Sequence, residues 1–527
     1  MTAPGDQAEV VLQPGDHAAA ATTDDAVVTD DAVTTALADR PPAPGSAGHR
    51  RWWAGLVAVA VALSLLVHLP GLLVHLFNSD EASLATMAMV IDRGGRLYHE
   101  TADRKPPAVP YVYAAVARLT GTRDLRPVRA LGALVLAATA ALLAAEAARR
   151  YRSRRAAWGA ALLFLLGTVA FFPADTQAAG FELFMLLPMT AAVVAASRHR
   201  AVQAGLWLAV ACLCKQTAAA TALPVAWLLW QGGGWRPAVR AALAGGAVIA
   251  ATALAFGPSQ FLLWTVTGNG GYLALRGSVG ATLGRAMGMT WAFIGINLAL
   301  VGLAAWAARR RTATTDQWLW LAGSAFGVLV GLRFFGHYYL QLLPPLALLG
   351  AGVLPGLAPA ARRLAVGFTA VSAAVMCAVA FLPADERGLL PYGAVAAQVR
   401  RLTAPTDTVF VWGEFPEIYW ASDREPATRF IHTGFLTGHT GGRPAGTEQP
   451  SDGLPGGWAL LDQDLQAHPA ALIVDTTGAR IRGSQYYPLD RTQIWSRVSR
   501  QYVLVGTLGG VRFYRYTGVS RAGTGRP

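Results

Sequence analysis

Asn78-Ser79-Asp80-Glu81-Ala82, Gly94-Gly95-Arg96-Leu97-Tyr98 and Asp103-Arg104-Lys105-Pro106-Pro107 punctuate one polar stretch, residues 78–107, directly after the first long apolar run of the chain. An acidic pair at the mouth of a membrane span is costly to place, and acids in such positions are functional candidates by default. The Lys-Pro-Pro that follows removes amide donors and disfavours helix at the residue before it, so it fixes a turn. The stretch reads as a loop lying on a membrane surface, held there by the rest of the chain.

Composition supports the membrane. Of 527 residues, 54% are hydrophobic and 14% charged, with mean hydropathy +0.37, whereas soluble globular chains carry about 25% charged residues. A net charge of +13 would suggest nucleic acid for a soluble protein. Here the arginines fall between apolar runs, where they set topology instead, and no nucleic-acid partner is expected. Two of the 44 basic residues are lysines, Lys105 and Lys215, an arginine bias that goes with GC-rich coding. Cys212, Cys214 and Cys377 lie in apolar runs. No disulfide framework is indicated, and a C-x-C inside a span points to packing rather than metal.

Residues 1–48, rich in Ala, Asp, Thr and Pro, are predicted to be a disordered cytoplasmic tail. The first span, roughly 52–76, is too long and too late for a signal peptide. Apolar runs follow at about 128–148, 156–174, 182–197, 202–214, 217–231, 238–257, 287–308, 316–335, 338–357 and 364–382. The fold class is therefore a polytopic α-helical membrane protein with about eleven spans. Several runs are short for a bilayer that needs ~20 residues, so 202–231 is a broken pair or a re-entrant feature. Arg50-Arg51, Arg149-Arg150, Arg154-Arg155, Arg198, Arg200, Arg236, Arg240, Arg309 to Arg311 and Arg362-Arg363 then fall on one side. The positive-inside rule makes that side the cytoplasm of a plasma-membrane protein.

The opposite face receives the 78–127 loop, the turn from Asp175 to Glu182, Lys215-Gln216, the 258–286 loop, Arg333 to His337, and everything after 383. The unusual polar residues of the membrane region, 49–383, thus gather on the outer face. A transporter or flippase would set them near the midplane in symmetry-related halves, and no internal repeat is visible. The tail, 384–527, is less apolar. Strand-like segments at 408–412, 470–474, 502–507 and 511–516 alternate with helix-like segments at 416–421, 458–466 and 491–500. That alternation predicts a small extracytoplasmic α/β domain. No G-x-G-x-x-G follows a strand, which argues against a nucleotide site.

Each candidate has a plainer alternative. Asp80 could cap the helix that starts at 81, and Glu81 and Glu182 could each serve only a helix dipole. Lys105 could be a solvated loop lysine. Lys215 interrupts an apolar run and needs a partner or an aqueous cavity. His337 and Tyr338 could belong to an interfacial aromatic belt. Asp80, Glu81 and Glu182 could also supply oxygen ligands to a divalent metal ion, although no D-x-D and no His/Cys cluster accompanies them.

The pattern Asp80-Glu81, Gly94, Leu97-Tyr98, Lys105-Pro106-Pro107 resembles the first outer loop of the C-type (GT-C) glycosyltransferase superfamily. It is most similar to the branch containing protein O-mannosyltransferases and lipid A aminoarabinose transferases. The resemblance extends through Tyr111, Tyr113, Arg126 to Arg129, Glu182, Cys214-Lys215-Gln216, Arg333 to Tyr339 and Pro344-Pro345, covering roughly residues 52–382. It implies a polyprenyl-phosphate-linked sugar donor and a cell-envelope glycan, lipid or protein acceptor. It also implies that Asp80, with Glu81 and Glu182, serves the chemistry, usually with inversion. Lys105, Lys215, Arg333, His337 and Tyr338 would then meet the donor phosphate. A lipid-linked sugar transporter and a non-catalytic envelope scaffold are the competing classes. The intact Asp80-Glu81 and Lys105-Pro106-Pro107 argue against the scaffold.

Overall fold

Every one of the eleven apolar runs folds as helix in the computed structural model, which describes residues 39–43, 45–273, 275, 278–382, 391–439, 441–447 and 449–518. Most of the predicted 1–48 tail lies outside the described residues. Among the described residues five helices are long and apolar enough to cross a membrane alone: Ala47–Val67, Arg126–Tyr151, Trp235–Phe256, Gly336–Gly356 (opening with a 3-10 turn) and Pro359–Val379. Val279–Ile296 and Leu298–Arg310 meet at 84° and make a sixth if they form one bent span. The remaining runs are shorter than one perpendicular crossing. Arg154–Val169 and Phe181–Ser197 have 16 and 17 residues and are almost wholly buried inside the bundle. The 202–231 region is a broken pair. Helix Ala201–Cys214 ends, Lys215 is extended (φ −156°, ψ 137°), and a 3-10 turn, Gln216–Thr221, leads into Ala222–Gly233.

Helix Arg126–Tyr151 has 26 residues, a length of ~39 Å at 1.5 Å per residue. At its Tyr151 end Arg149 and Arg150 both pair with Glu146, and Arg150 reaches Asp316 at 2.7 Å. At its other end lies the 78–107 loop. The basic cluster and the polar loop therefore occupy opposite ends of one membrane-length helix.

The loop holds its own helix, Ser79–Asp92, capped by Asn78, whose Oδ1 accepts from the Glu81 amide at 3.0 Å. Capping is thus the work of Asn78, and the capping alternative for Asp80 falls away. Tyr98 sits at φ 71° and closes a tight turn, with its amide donating to the Thr101 carbonyl at 2.6 Å. Glu81 turns inward, fully buried, and makes a bidentate pair with Arg129 at 2.7 and 2.5 Å. Arg129 also donates to the carbonyls of Gly71, Val74 and His75, and Glu81 accepts from the Ala179 amide at 3.1 Å. One ion pair thereby ties the loop helix to the end of the first helix, to Arg126–Tyr151 and to the turn before Phe181.

The tail begins with helix Tyr392–Leu402 and carries a four-stranded sheet: β1 Val409–Trp412, β2 Leu472–Asp475, β3 Tyr502–Leu508 and β4 Val511–Tyr516, in the order β1-β2-β4-β3. β1 and β2 are parallel, and the other pairs are antiparallel. The apolar strands β1 (VFVW) and β2 (LIVD) are buried throughout, as continuous apolar runs require. The sheet does not stand apart from the membrane region: everything described from Pro41 onward forms one compact unit. Helix Glu417–Ser422 lies on Ser79–Asp92, Met89 enters the core of the tail, and the Thr86 hydroxyl donates to the Pro416 carbonyl at 3.2 Å. The Ala102 amide donates to the Arg429 carbonyl at 3.1 Å, within a parallel bridge between Ala102 and Phe430. The loop is clamped between the helical bundle and the tail.

Removing one member of a buried pair strands the other charge, at a typical cost of about 3–5 kcal/mol. Arg129→Met should therefore lower stability in detergent by that order, and Glu81→Gln combined with Arg129→Met should recover part of the loss. A single variant that melts like the wild type would show that the pair does not anchor the loop.

Candidate active site

Successive helical residues point about 100° apart. Glu81 faces Arg129 in the bundle, so Asp80 faces a different way, toward Lys105, Lys215, His337 and His432. Asp80 is half-buried and makes no hydrogen bond or ion pair among the described residues. Its carboxyl is nevertheless held below the ordinary range. Lys105 is the largest cause, opposed by burial and reinforced by His337, Lys215 and His432. A carboxylate held below the ordinary range, beside two lysines and two histidines, is the central feature of the site.

The neighbouring carboxylates are all engaged. Asp103 accepts from the Arg104 amide at 2.6 Å and lies 3.4 Å from Lys105 Nζ. Asp175 Oδ1 is 2.6 Å from His337 Nδ1, and Glu182 meets Lys215 and lies 3.6 Å from His337 Nε2. His337 thus bridges two acids, one at each ring nitrogen. Both lysines also sit on aromatic faces, Lys105 Nζ 4.5 Å from the Phe181 ring centre and Lys215 Nζ 3.9 Å from that of Tyr338, a favourable use of the ring quadrupole.

The backbone that carries these groups is irregular for identifiable reasons. The break at Lys215 frees the chain to turn, and Gln216 Nε2 donates to the Arg104 carbonyl at 2.7 Å, stitching the break to the Lys-Pro-Pro turn. The Tyr98 hydroxyl donates to the Lys105 carbonyl at 2.8 Å. Leu332 and Phe334 both have positive φ, 50° and 51°, on either side of fully buried Arg333. Such conformations cost of order 1–3 kcal/mol in non-glycine residues and gather at functional sites. Arg285 Nε holds the Arg333 carbonyl at 2.7 Å, and the His337 ring stacks on Phe335.

The structure therefore brings Asp80, Lys105, Glu182, Lys215, His337 and Tyr338 into one cluster and places Arg333 on the segment that delivers His337. Glu81 stands behind the cluster, bound to Arg129. As a hard-cation ligand set, Asp80, Glu81 and Glu182 do not fit, because two of the three already face a basic side chain. Among the described residues no group of three or more His, Cys, Asp and Glu side chains is arranged to hold a metal.

Sequence reading missed the tail's contribution. His432 acts on Asp80 through its charge, stacks on Phe435 at 4.3 Å, and places Nδ1 3.1 Å from Glu414 Oε2. Burial pushes the Glu414 carboxyl up, yet His432 and its other neighbours bring it net below the usual range. Phe435 in turn carries the Arg104 guanidinium at 4.9 Å and meets Trp264 edge-on at 5.4 Å. Nothing local marks His432 as a site residue. Asp103 and Asp175 were within reach of the sequence, each lying in an outer-face polar segment already singled out.

Residues 104–264 match the family model described as dolichyl-phosphate-mannose-protein mannosyltransferase. No curated protein matches the sequence at a significant level. Among solved structures, ArnT from Cupriavidus metallidurans in the apo state aligns with TM-score 0.58 and 15% identity, over 88% of this chain and 98% of that one. The Archaeoglobus fulgidus oligosaccharyltransferase, solved with zinc and sulfate, aligns with TM-score 0.51 and 11% identity, over 88% and 73%. The chain has a GT-C glycosyltransferase fold. At these identities the structural likeness establishes architecture, and the mannosyltransferase match falls on the GT-C segment that runs from Arg104 through Glu182 and Lys215 to Trp264.

Because Lys105 is the main cause of the lowered Asp80 pKa, its removal has a definite sign. In Lys105→Met the Asp80 carboxyl should protonate at higher pH than in the wild type. Stability contributed by the ionised form, present above the unfolded carboxyl range and lost as pH falls through the folded value, should disappear earlier on acidification. Infrared titration of carboxyl-labelled aspartate, with Asp80→Asn to assign the band, reads the shift; an unmoved or lowered value would show that Lys105 does not face Asp80.

Proposed function

We propose that this chain is an integral-membrane glycosyltransferase that moves a sugar from a polyprenyl-phosphate-linked donor to an acceptor hydroxyl on the outer face of the membrane, with Asp80 as general base. The observation that carries the reading is the contrast within the acidic cluster. Glu81, Asp103, Asp175 and Glu182 all have partners, while Asp80 makes no hydrogen bond or ion pair among the described residues and its carboxyl is held below the ordinary range. A base must be deprotonated at working pH and within hydrogen-bond reach of the proton it takes.

In the proposed step the acceptor oxygen attacks the anomeric carbon from the face opposite the phosphate and gives its proton to Asp80. The new carbon–oxygen bond forms as the anomeric carbon–phosphate oxygen bond breaks. Polyprenyl phosphate leaves with the bonding pair, and the sugar configuration inverts. Charge accumulating on the leaving phosphate is met by the donor groups of Lys105, Lys215 and His337, with Arg333 behind them, and preorganised donors at such a position stabilise a transition state directly. Glu182 orients Lys215 and His337, and the Tyr338 ring supports Lys215. Glu81 acts as a positioning residue through Arg129.

The bilayer supplies the donor's tail with a solvent while its head reaches the loop. The basic cluster at the far end of Arg126–Tyr151 supports the reading that this end is cytoplasmic and the site is not.

Asp80 is not the helix cap, so Asp80→Asn and Asp80→Ala should both still express and fold, each losing only the stability that the carboxylate's attraction to Lys105 contributes, and by a similar amount. Sugar transfer from a polyprenyl-phosphate donor should fall by roughly 10²–10⁴-fold in both, the usual contribution of a positioned base. An Asn variant with near-normal turnover would remove Asp80 from the mechanism.

A further inference from the structure

A cavity lies at the other end of the loop helix. It has a volume of about 1250 Å³ and opens between the Ala108–Thr120 helix, the turn that follows it, and the start of the tail. Ligand pockets commonly run to about 300–1,000 Å³, so it has room for an extended guest. One wall is aromatic. The His75 ring is parallel to that of Tyr392 within 7° at 6.3 Å and lies 5.0 Å from Trp420, with Tyr392 and Trp420 6.3 Å apart. The Trp420 indole is locked by its Nε1 donating to the Arg123 carbonyl at 2.9 Å.

The facing wall is charged but balanced. Three arginines and three aspartates line the cavity. Arg118 pairs with Asp92 at 3.2 Å, and Arg123 pairs with Asp423 and lies 3.9 Å from Asp92. A phosphate or nucleotide would call for surplus cations; Arg118 and Arg123 are taken up by aspartates, and Arg400 is held by the Ala421 carbonyl, so the lining carries no net formal charge. A neutral polyol suits it: paired carboxylates and guanidinium groups present fixed acceptors and donors to adjacent hydroxyls. The weakly positive C–H face of a sugar ring complements the negative face of an aromatic ring.

We infer that this cleft binds a neutral oligosaccharide, and that it is where a glycan acceptor rests while its end reaches Asp80. Asp80 and Asp92 are the two ends of one helix, twelve residues or ~18 Å apart; the helix between them is buried, and the cleft reaches back toward the Asp80 end through its lining residue His75. The acceptor role rests on the transferase reading above; the binding does not.

The test uses the full chain in lipid nanodiscs, titrated with mannotetraose, arabinotetraose and cellotetraose, and with decaproline as the peptide that an aromatic groove could hold instead. At least one tetrasaccharide should bind. Tyr392→Ala combined with His75→Ala should weaken that binding tenfold or more at unchanged melting temperature, while Tyr392→Phe retains it. Asp80→Asn should bind as the wild type does. Three silent tetrasaccharides, an unaffected double variant, or binding of decaproline alone would each overturn the inference. If glycan binds but Asp80→Asn transfers normally, the base assignment fails and the cleft stands; if Asp80→Asn is inactive and no glycan binds, the reverse holds.

Discussion

Glu81 and Arg129 lie out of water, and neither could remain there without the other. The pair meets the conditions under which burial of two charges is tolerable: bidentate geometry, with the remaining polar capacity of both partners taken up by a backbone amide and three backbone carbonyls. Its effect is orientational. A helix with one face fixed has every other face fixed with it, so holding Glu81 against the bundle decides where Asp80 points. The two adjacent acids divide the labour, one holding the helix and the other left exposed to the site.

The cations show a similar division. The chain is rich in arginine and uses lysine at two positions, Lys105 and Lys215, both in the site. Guanidinium groups serve where a rigid fork must hold a partner, as at Arg129 and along the seam between loop and tail. A lysine ammonium is a compact charge on a flexible stem with three rotatable donors. Each lysine here rests on a carboxylate and an aromatic face, a position from which its stem can still turn toward another acceptor.

Much of this was legible in the sequence because local chemistry leaves local marks. The Lys-Pro-Pro turn, the broken helix at Lys215 and the four strands of the tail all follow from proline geometry, a charge in an apolar run, and short β-branched and aromatic runs between turns. Asp80 and Asn78 are both good caps, and only the backbone shows that Asn78 holds the non-helical position, which removes capping as the alternative role for Asp80. Span number was harder still, since helices such as Phe181–Ser197 are apolar because neighbouring helices surround them, and apolarity alone does not distinguish lipid from protein. Pairings across long sequence distances left no mark at all. Glu81 finds Arg129 48 residues away, and nothing near His432 announces that it will face Asp80.

The clamp on the loop joins residues 330 apart in the chain, Thr86 to Pro416 and Arg93 to Asp423. During synthesis the loop helix emerges early, and the surface that covers it emerges last. Until then Met89 has no core to enter and the Ala102–Phe430 bridge has only one side. A nascent or truncated chain would carry its Asp80 and both lysines in a half-walled site open to water. Completion of the polypeptide, rather than membrane insertion of the first helices, is what closes the walls around this cluster.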